Sequence, residues 1–217
     1  MGDEIRLIAE IKRASPSKGL LAPDFDPVRL GNIYAENGAA AISVLTEADH
    51  FQGSIDHLSA VKEATRSWMI PILRKDFIFD PYQVYQSRAA GADAILLIVA
   101  ILNPTDLKAL LQLSMSLFVQ CLVEVHNEEE LRIAVESGGD IIGINNRDLH
   151  TFHTNLDITR RLAPMVPKGT MVVSESGINS RDSIRGLKQL GVNGILVGEA
   201  IMTAKDIGAE VREFAKP

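Results

Sequence analysis

Short apolar runs alternate with longer amphipathic segments along the chain. Eight runs of three to six mainly apolar residues are typical of buried β-strands, and the segment after each run spaces its apolar residues as a helix does. The predicted strands are residues 7–10, 41–45, 72–75, 94–99, 121–125, 141–145, 171–174 and 195–197. The predicted helices span residues 27–38, 54–66, 81–91, 105–116, 127–137, 156–163, 180–190 and 203–215.

Helix signals support this division of the chain. Asn127 with Glu130 three residues later is a capping-box arrangement before the fifth helix, and proline follows Asp80 and Asn103 at two other predicted helix starts. Glycine closes or follows four of the predicted helices, where it favours termination, at Gly38, Gly91, Gly138 and Gly191.

Eight strand–helix units in succession predict a (β/α)8 TIM barrel, an α/β fold in which eight parallel strands close inside a ring of helices. The strands are apolar along almost their whole length, as expected when both faces are buried. We expect residues 1–217 to form this barrel as a single domain. A doubly wound open sheet is the alternative, but no Gly-x-Gly-x-x-Gly turn follows the first strand.

Composition narrows the class of protein further. The chain has 22 basic and 28 acidic residues, a net charge of −6, which argues against a nucleic-acid-binding surface. Its single cysteine, Cys121, excludes an internal disulfide and fits a reducing compartment. No apolar run reaches the length of a bilayer span, and the N-terminal residues do not resemble a signal peptide. We therefore expect a cytoplasmic protein that has neither nucleic acid nor a membrane as partner.

Polar residues stand at the C-terminal ends of the predicted strands, where barrels of this kind carry their sites. Glu10 and Lys12 lie two residues apart and point to the same side of the first strand. Lysine and glutamate are rarely placed against an apolar interior unless paired or used, and converging charges tune one another's pKa for acid–base chemistry. The plainer interpretation is that strand ends meet water and opposite charges pair there. The candidates are Glu10, Lys12, Lys75, Glu124, Asn145, Arg147, Glu175 and Ser176.

The loops after the seventh and eighth strands hold a second group of candidates. Ser176-Gly177 and Gly198-Glu199 stand where barrels often build a phosphate site from free backbone N–H groups. Ser15, in the loop after the first strand, offers a hydroxyl to the same site. The alternative is that these glycines only form tight turns.

Other residues that could carry chemistry receive different interpretations. Glu124 with His126, and His150 with His153, are interpreted as solvent-facing polar residues, so no metal site is expected. Phe51 follows the second strand, where an aromatic ring can wall a flat substrate.

Seven segments of the chain resemble the indole-3-glycerol phosphate synthase family, the barrel enzymes of tryptophan biosynthesis. The longest is AEIKRASPSKG at residues 9–19, around the first strand. The resemblance runs from Leu7 to Met202. The other segments are ISVLTE at 42–47, FQGS at 51–54, ILRKDF at 72–77, LVEVH at 122–126, IGINNRDL at 142–149 and VSESGI at 173–178.

The resemblance implies a reaction and its acid–base residues. Family members close the ring of 1-(2-carboxyphenylamino)-1-deoxyribulose 5-phosphate and release carbon dioxide and water to give indole-3-glycerol phosphate, so no cofactor is expected. Lys75 resembles the general acid for ring closure, and Lys12 the mobile lysine that helps to hold the substrate carboxylate and protonates the leaving hydroxyl. The resemblance implies that both lysines act and leaves open which of them acts in which step. We expect a lowered pKa for such a lysine. Glu124 resembles the group that removes or relays the proton in dehydration.

The same resemblance implies positioning and binding roles for the other candidates. Glu10 orients and ionises the lysines, and Asn145 holds the substrate hydroxyl and the carboxylates. Arg147 makes a bidentate contact with the substrate carboxylate, Phe51 brackets the aromatic ring, and Glu175 belongs with the substrate-binding residues. The phosphate and polyol end falls to Ser15, Ser176 (also grouped with the catalytic residues), Gly177, Gly198 and Glu199, the last through its backbone N–H with its side chain turned away.

Known members also carry a segment of extra helix before the first strand, packed over the catalytic face. Only six residues precede Leu7, and we expect the chain to lack that segment. Two other functions stay open: a different phosphate-binding barrel enzyme, such as an isomerase of phosphoribosylated substrates, and a scaffold barrel that binds a phosphorylated ligand without turning it over. We expect a monomer whose partner is a small phosphorylated substrate.

Overall fold

The computed structural model describes residues 4–16, 18–148, 151 and 153–216. Eight parallel strands pair in chain order around a closed barrel, and the first strand also pairs with the eighth. The predicted TIM barrel is therefore confirmed. The strands are β1 (Arg6–Ile11), β2 (Ala41–Leu45), β3 (Ile72–Lys75), β4 (Ala94–Ile98), β5 (Gln120–Val125), β6 (Ile141–Asn145), β7 (Met171–Glu175) and β8 (Gly194–Val197).

Helices follow the strands as the apolar spacing predicts. Asp80 and Gln83 form a complete capping box at the start of α3, and Asn127 accepts the backbone N–H of Glu130 at the start of α5. The α-helices of the described residues are α1 (Pro27–Glu36), α2 (Ile55–Ala64), α3 (Pro81–Ala89), α4 (Pro104–Ser116), α5 (Glu128–Glu136), α6 (Asp157–Leu162), α7 (Arg181–Gln189), α8 (Glu199–Met202) and α9 (Ile207–Ala215). Short 3-10 helices span Arg66–Trp68, Val99–Ile101 and Ala163–Met165.

Two short elements differ from the prediction. The helix predicted at 203–215 begins only at Ile207, after Asp206, whose carboxylate caps it. A separate short helix that was not predicted, α8, lies before it, directly after β8. The loop after β1 contains a two-stranded antiparallel ribbon, Ala14–Ser15 with Gly19–Leu20. Strands of two residues are too short to show a periodic pattern.

The barrel strands divide their side chains between two apolar layers. Ile95 and Leu97 of β4 pack in the layer shared with the helices, whereas Leu96 and Ile98 pack in a smaller cluster inside the barrel. Side chains two residues apart on a strand share a face. The residue two positions after an inner-cluster residue therefore also faces the inside of the barrel. The inner cluster consists of Leu73, Leu96, Ile98, Leu122, Val173 and Leu196.

This alternation places charged residues above the inner cluster. Lys75, Glu124 and Glu175 each follow an inner-cluster residue of the same strand by two positions. The candidate site therefore rests on the apolar interior of the barrel.

Among the described residues, no helix is long and apolar enough to cross a membrane.

Candidate active site

A cavity of about 980 Å³ opens at the C-terminal ends of the barrel strands. Leu96, Ile98 and Leu196 of the inner cluster reach its wall, so the charged groups stand beside apolar surface. All the site residues predicted from the sequence line this one cavity: Glu10, Lys12, Ser15, Phe51, Lys75, Glu124, Asn145, Arg147, Glu175, Ser176, Gly177, Gly198 and Glu199.

Lys75 lies among buried carboxylates in this cavity. Its Nζ is 3.7 Å from Oε2 of Glu124 and 3.5 Å from Oε2 of Glu175. The side chains of these two glutamates are only 3% and 1% exposed. The plainer interpretation, that charges at strand ends meet water, is wrong for these residues, although opposite charges do pair there.

A second lysine–glutamate pair closes the end of β1. Lys12 Nζ lies 2.7 Å from Oε1 of Glu10, and both side chains are mostly buried. The backbone carbonyl of Glu10 accepts a hydrogen bond from the buried hydroxyl of Tyr34 at 3.2 Å. Glu10 is therefore held from both its main chain and its side chain, and Lys12 has a fixed counter-charge.

Burial and neighbouring charges divide the three carboxylates into two kinds. Burial raises the pKa of Glu175 to about 8, because the positive charge of Lys75 is offset by the negative charges of Glu124 and Glu10. Burial also acts against the ionised forms of Glu10 and Glu124. For Glu10, the positive charges of Lys12 and Lys75 outweigh burial. For Glu124, Lys75 and His126 outweigh it. The pKa of both carboxyls therefore lies below the usual range. Near neutral pH, Glu175 is mainly protonated while Glu10 and Glu124 are ionised.

The expected lowering of the lysine pKa is wrong for Lys75. Burial does act to lower its pKa, but the charges of Glu175, Glu124 and Glu10 outweigh burial and raise it. Lys75 is therefore fully protonated at neutral pH, which is the state that a general acid needs before it reacts.

Two glycines make room for the buried carboxylates. A side chain at Gly198 would overlap Oε1 of Glu10, and one at Gly143 would overlap Oε1 of Glu175. Neither glycine has a positive φ, so the close approach of the carboxylate is what requires the missing side chain. Gly198 was predicted to serve the phosphate; its contact in the structure is with the acid–base cluster. The sequence offered no signal for Gly143, because its neighbour lies on the next strand.

The side chain of Glu199 does not turn away from the cavity, contrary to the prediction. Its carboxylate lies 3.7 Å from Nη2 of Arg147 and 3.6 Å from Nζ of Lys18. Both cations attract this carboxylate as they would attract a substrate anion. Glu199 therefore links the loops after β1, β6 and β8 across the mouth of the cavity.

The loop after β2 presents Phe51 to the cavity because Glu47 organises it. The Glu47 carboxylate accepts hydrogen bonds from the backbone N–H groups of Asp49, His50 and Phe51. Gly53 then passes so close to the backbone oxygens of β2 and Glu47 that no side chain fits there. The sequence places Glu47 directly after the second strand but assigns it no role in the site, and in the structure its hydrogen bonds fix the loop that carries the aromatic ring.

The loop after β7 is held in an uncommon conformation. Ser176 and Gly177 both have positive φ, 66° and 75°, a region that residues other than glycine rarely adopt. The buried amide of Asn146 donates hydrogen bonds to the backbone oxygens of Glu175 and Ser176 and accepts from Thr159. This clamp fixes the Ser176-Gly177 turn at the cavity wall.

Ser15 lies across the cavity mouth on the ribbon after β1. Ser15 is 7% exposed, and its buried hydroxyl makes no hydrogen bond to any described residue. A buried hydroxyl without a partner costs free energy, so a ligand that supplies one is favoured here.

The interpretation of the histidines as solvent-facing residues is wrong for one of them. His126 is not solvent-facing: its side chain is 12% exposed and lies between Glu124 and Glu130. His153 stands exposed at the cavity edge, and His150 lies outside the described residues. Within the ranges that the structure describes, no three His, Cys, Asp or Glu side chains are grouped to hold a metal ion.

A lysine buried among carboxylates at the mouth of a (β/α)8 barrel provides acid–base chemistry for a small molecule, so the protein is a barrel enzyme by class. The model of the indole-3-glycerol phosphate synthase family matches residues 2–214. The chain belongs to this family, a group of carboxy-lyases of tryptophan biosynthesis that act on a phosphorylated small molecule. The resemblance of the motifs is confirmed, and the isomerase and scaffold alternatives lose support.

Curated relatives agree with this assignment. An indole-3-glycerol phosphate synthase of Dehalococcoides mccartyi is 58% identical over 213 residues, which cover 98% of this chain and 82% of the relative. Another from Roseiflexus sp. (strain RS-1) is 54% identical over 215 residues, covering 97% of this chain and 80% of the relative.

Solved structures of lower similarity share the fold. A 3-hexulose-6-phosphate synthase from Salmonella typhimurium superposes with a TM-score of 0.78 at 16% identity, covering 98% of this chain and 97% of that one. A thiamine phosphate pyrophosphorylase from Pyrococcus furiosus gives a TM-score of 0.73 at 21% identity, covering 98% and 94%. At these identities the likeness concerns the barrel alone.

Proposed function

We propose that the side chains of this cavity carry out the three steps of the family's reaction: ring closure, decarboxylation and dehydration of 1-(2-carboxyphenylamino)-1-deoxyribulose 5-phosphate. The observation that carries the proposal is the buried cluster in which Lys75 lies 3.7 Å from Glu124 and 3.5 Å from Glu175. The cluster offers a protonated lysine and an ionised carboxylate side by side, which is the pair that an acid step followed by a base step needs.

Lys75 acts in the first step as the general acid. The ring carbon that bears the carboxylate attacks the ketone carbon, a carbon–carbon bond forms, and Lys75 gives its proton to the ketone oxygen, which becomes a hydroxyl. Carbon dioxide then leaves, and the electron pair of the broken bond restores the aromatic ring. Glu124 and Glu175 lie within 3.7 Å of the Lys75 ammonium before it reacts, and the raised pKa of Glu175 lets that residue stay uncharged while Glu124 and Glu10 are ionised.

Glu124 and Lys12 act in dehydration. Glu124 accepts the proton that the five-membered ring loses, and Lys12 protonates the leaving hydroxyl, which departs as water. Glu10 positions Lys12, from which it lies 2.7 Å, and Asn145 supports Glu124 through its side-chain amide.

The two ends of the substrate bind at opposite parts of the cavity wall. Ser15, Ser176, Gly177 and the backbone at Gly198–Glu199 take the phosphate, since these groups offer a free hydroxyl and backbone N–H donors. Phe51 brackets the aromatic ring, and Arg147 pairs with the substrate carboxylate. Binding then requires that the Glu199 carboxylate leaves Arg147.

We also propose that residues 1–217 act as a single barrel domain and a monomer in the cytoplasm, without cofactor or metal. The support is that every predicted site residue lines one cavity of one chain. The single cysteine, whose pKa burial raises to about 11, fits a reducing compartment.

A single-turnover experiment separates the two lysine–glutamate steps. Carbon dioxide release and indole fluorescence are followed together for the wild type and for Glu124→Gln, with Glu129→Gln as control because Glu129 is exposed and pairs only with Arg132 among its ion-pair contacts. We expect Glu124→Gln to release carbon dioxide at close to the wild-type rate while indole formation slows about 10²–10⁴-fold. Equal slowing of both signals would contradict the role of Glu124 in dehydration.

A further inference from the structure

His126 follows β5 and pairs with Glu124 through a different carboxylate oxygen from the one that Lys75 approaches. The ring Nε2 of His126 lies 3.4 Å from Oε1 of Glu124, whereas Lys75 approaches the other oxygen, Oε2, at 3.7 Å. The His126 side chain is 12% exposed, and its buried Nε2 makes no hydrogen bond to any described residue, so its contact with Glu124 is an ion pair. Each oxygen of Glu124 therefore faces its own cation.

Glu130 holds His126 in this position. One carboxylate oxygen of Glu130 accepts both the backbone N–H of His126, at 2.8 Å, and the ring Nδ1, at 3.0 Å. The other oxygen accepts a hydrogen bond from the Asn127 amide at 2.7 Å. The cap that Asn127 and Glu130 form at the start of α5 thus fixes the ring as well as the helix end.

The two flanking carboxylates favour an imidazole ring that carries a proton on both nitrogens. Ionised Glu124 lies on one side of the ring and ionised Glu130 on the other, and such carboxylates only accept, so both favour a ring with an N–H on the nitrogen that faces them. Burial opposes the charged ring, but the two carboxylates outweigh it and raise the pKa of His126 to about 10. The other charged groups near Glu124 are Lys75 from β3 and Glu175 from β7. The exposed carboxylates of α5 have other partners: Glu128 pairs with Arg161, and Glu129 pairs with Arg132.

We propose that His126, held by Glu130, is a positioning residue for Glu124: it fixes the orientation of the carboxylate and supplies the positive charge that stays beside it once Lys75 has given away its proton. This inference rests on the proposed function, in which Lys75 acts as an acid before Glu124 acts as a base. Lys75 loses its charge at the moment when Glu124 must remain ionised to accept a proton later. Without a second cation, the buried Glu124 would take up a proton at that point.

The pH dependence of indole formation tests the proposal. His126→Gln removes the cation and raises the pKa of Glu124, so the acidic limb of the rate profile moves up by about one pH unit. His126→Lys retains a positive charge and returns the limb most of the way to the wild-type position. Glu130→Gln leaves the ring protonated in acid and moves the limb by a smaller amount. Glu129→Gln, one residue away on the same turn, removes the same charge and leaves the limb unchanged.

Thermal unfolding of each variant is measured beside the rates, because loss of the ring also loosens the start of α5. An unchanged acidic limb in folded His126→Gln would overturn the proposal, and so would a limb in His126→Lys that matches His126→Gln. If His126→Gln does not fold, an acidic limb of Glu130→Gln at the position of Glu129→Gln overturns it. The separation of carbon dioxide release from indole formation in Glu124→Gln is the independent reference. If Glu124→Gln slows carbon dioxide release and indole formation equally, the proposed function fails. If it slows only indole formation while the acidic limb of His126→Gln stays at the wild-type position, only the role of His126 fails.

Discussion

Lys75→Met tests whether the buried lysine is a catalytic acid or a structural ion-pair partner. Methionine keeps most of the length and volume of the side chain but removes the proton and the charge. Removal of a general acid costs about 10²–10⁴-fold in rate. We expect a loss of this size in ring closure, with carbon dioxide release and indole formation lost together.

The cost to stability follows from the surroundings of Lys75. Breaking a buried ion pair costs about 3–5 kcal/mol when it leaves a bare charge. Here Glu175, with a pKa of about 8, is already mainly protonated at neutral pH, and Glu124 keeps His126 at 3.4 Å. Only a small part of the full cost remains, and we expect a melting temperature within a few degrees of the wild type.

The assay compares Lys75→Met with Lys62→Met under identical conditions. Lys62 forms an ion pair with Asp93 at 2.6 Å outside the cavity, so its replacement loses an ion pair without touching the site. Indole fluorescence gives the rate, and calorimetry gives the melting temperature. A strongly lowered melting temperature in Lys75→Met, with near wild-type turnover in the folded fraction, would refute the catalytic role.

Three further substitutions test the electrostatics and packing of the cavity. Gly198→Ala pushes against Glu10 and misplaces it, so steady-state kinetics should show kcat reduced by about 10²-fold; a rise in KM alone would favour a role in phosphate binding only. Glu175→Gln should stabilise the protein more at pH 8 than at pH 5, because the pKa of Glu175 is about 8 in the folded state and 4.5 in the unfolded chain, so the stability of the wild type falls as pH rises between these values. Melting curves with equal gains at both pH values would contradict this. Glu199→Gln weakens the competitor for Arg147, so KM should fall at unchanged kcat, and an increase in KM would instead make the Glu199 carboxylate part of the binding site.

Sequence patterns predicted the barrel because the periods of its strands and of its helices depend only on residues close together in the chain. The strands and most helices follow from apolar spacing and caps such as Asn127 with Glu130, which depend on neighbours within one turn. The ribbon after β1 and the short helix α8 escaped prediction, since elements of two to four residues are too short to show a period.

The candidate site was predictable in its residues but not in its charges. The C-terminal ends of the strands identify which side chains meet, whereas the sign of each pKa shift depends on distances between different strands. Lys75 illustrates this, since three carboxylates from other strands outweigh its burial. Gly143 was missed for the same reason, because it makes room for Glu175 on the neighbouring strand. His126 was interpreted as solvent-facing, whereas its ring is mostly buried beside Glu124.

The most direct test of the proposed chemistry is the stoichiometry of a single turnover by the wild-type protein. The carboxyphenylamino-deoxyribulose phosphate is mixed with excess protein in the presence of a chelator, and carbon dioxide and the indole product are both quantified. A cavity whose own lysines and glutamates perform all three steps predicts one carbon dioxide and one indole product for each substrate molecule. Substrate recovered unchanged at high protein concentration, or carbon dioxide released without the indole product, would contradict it.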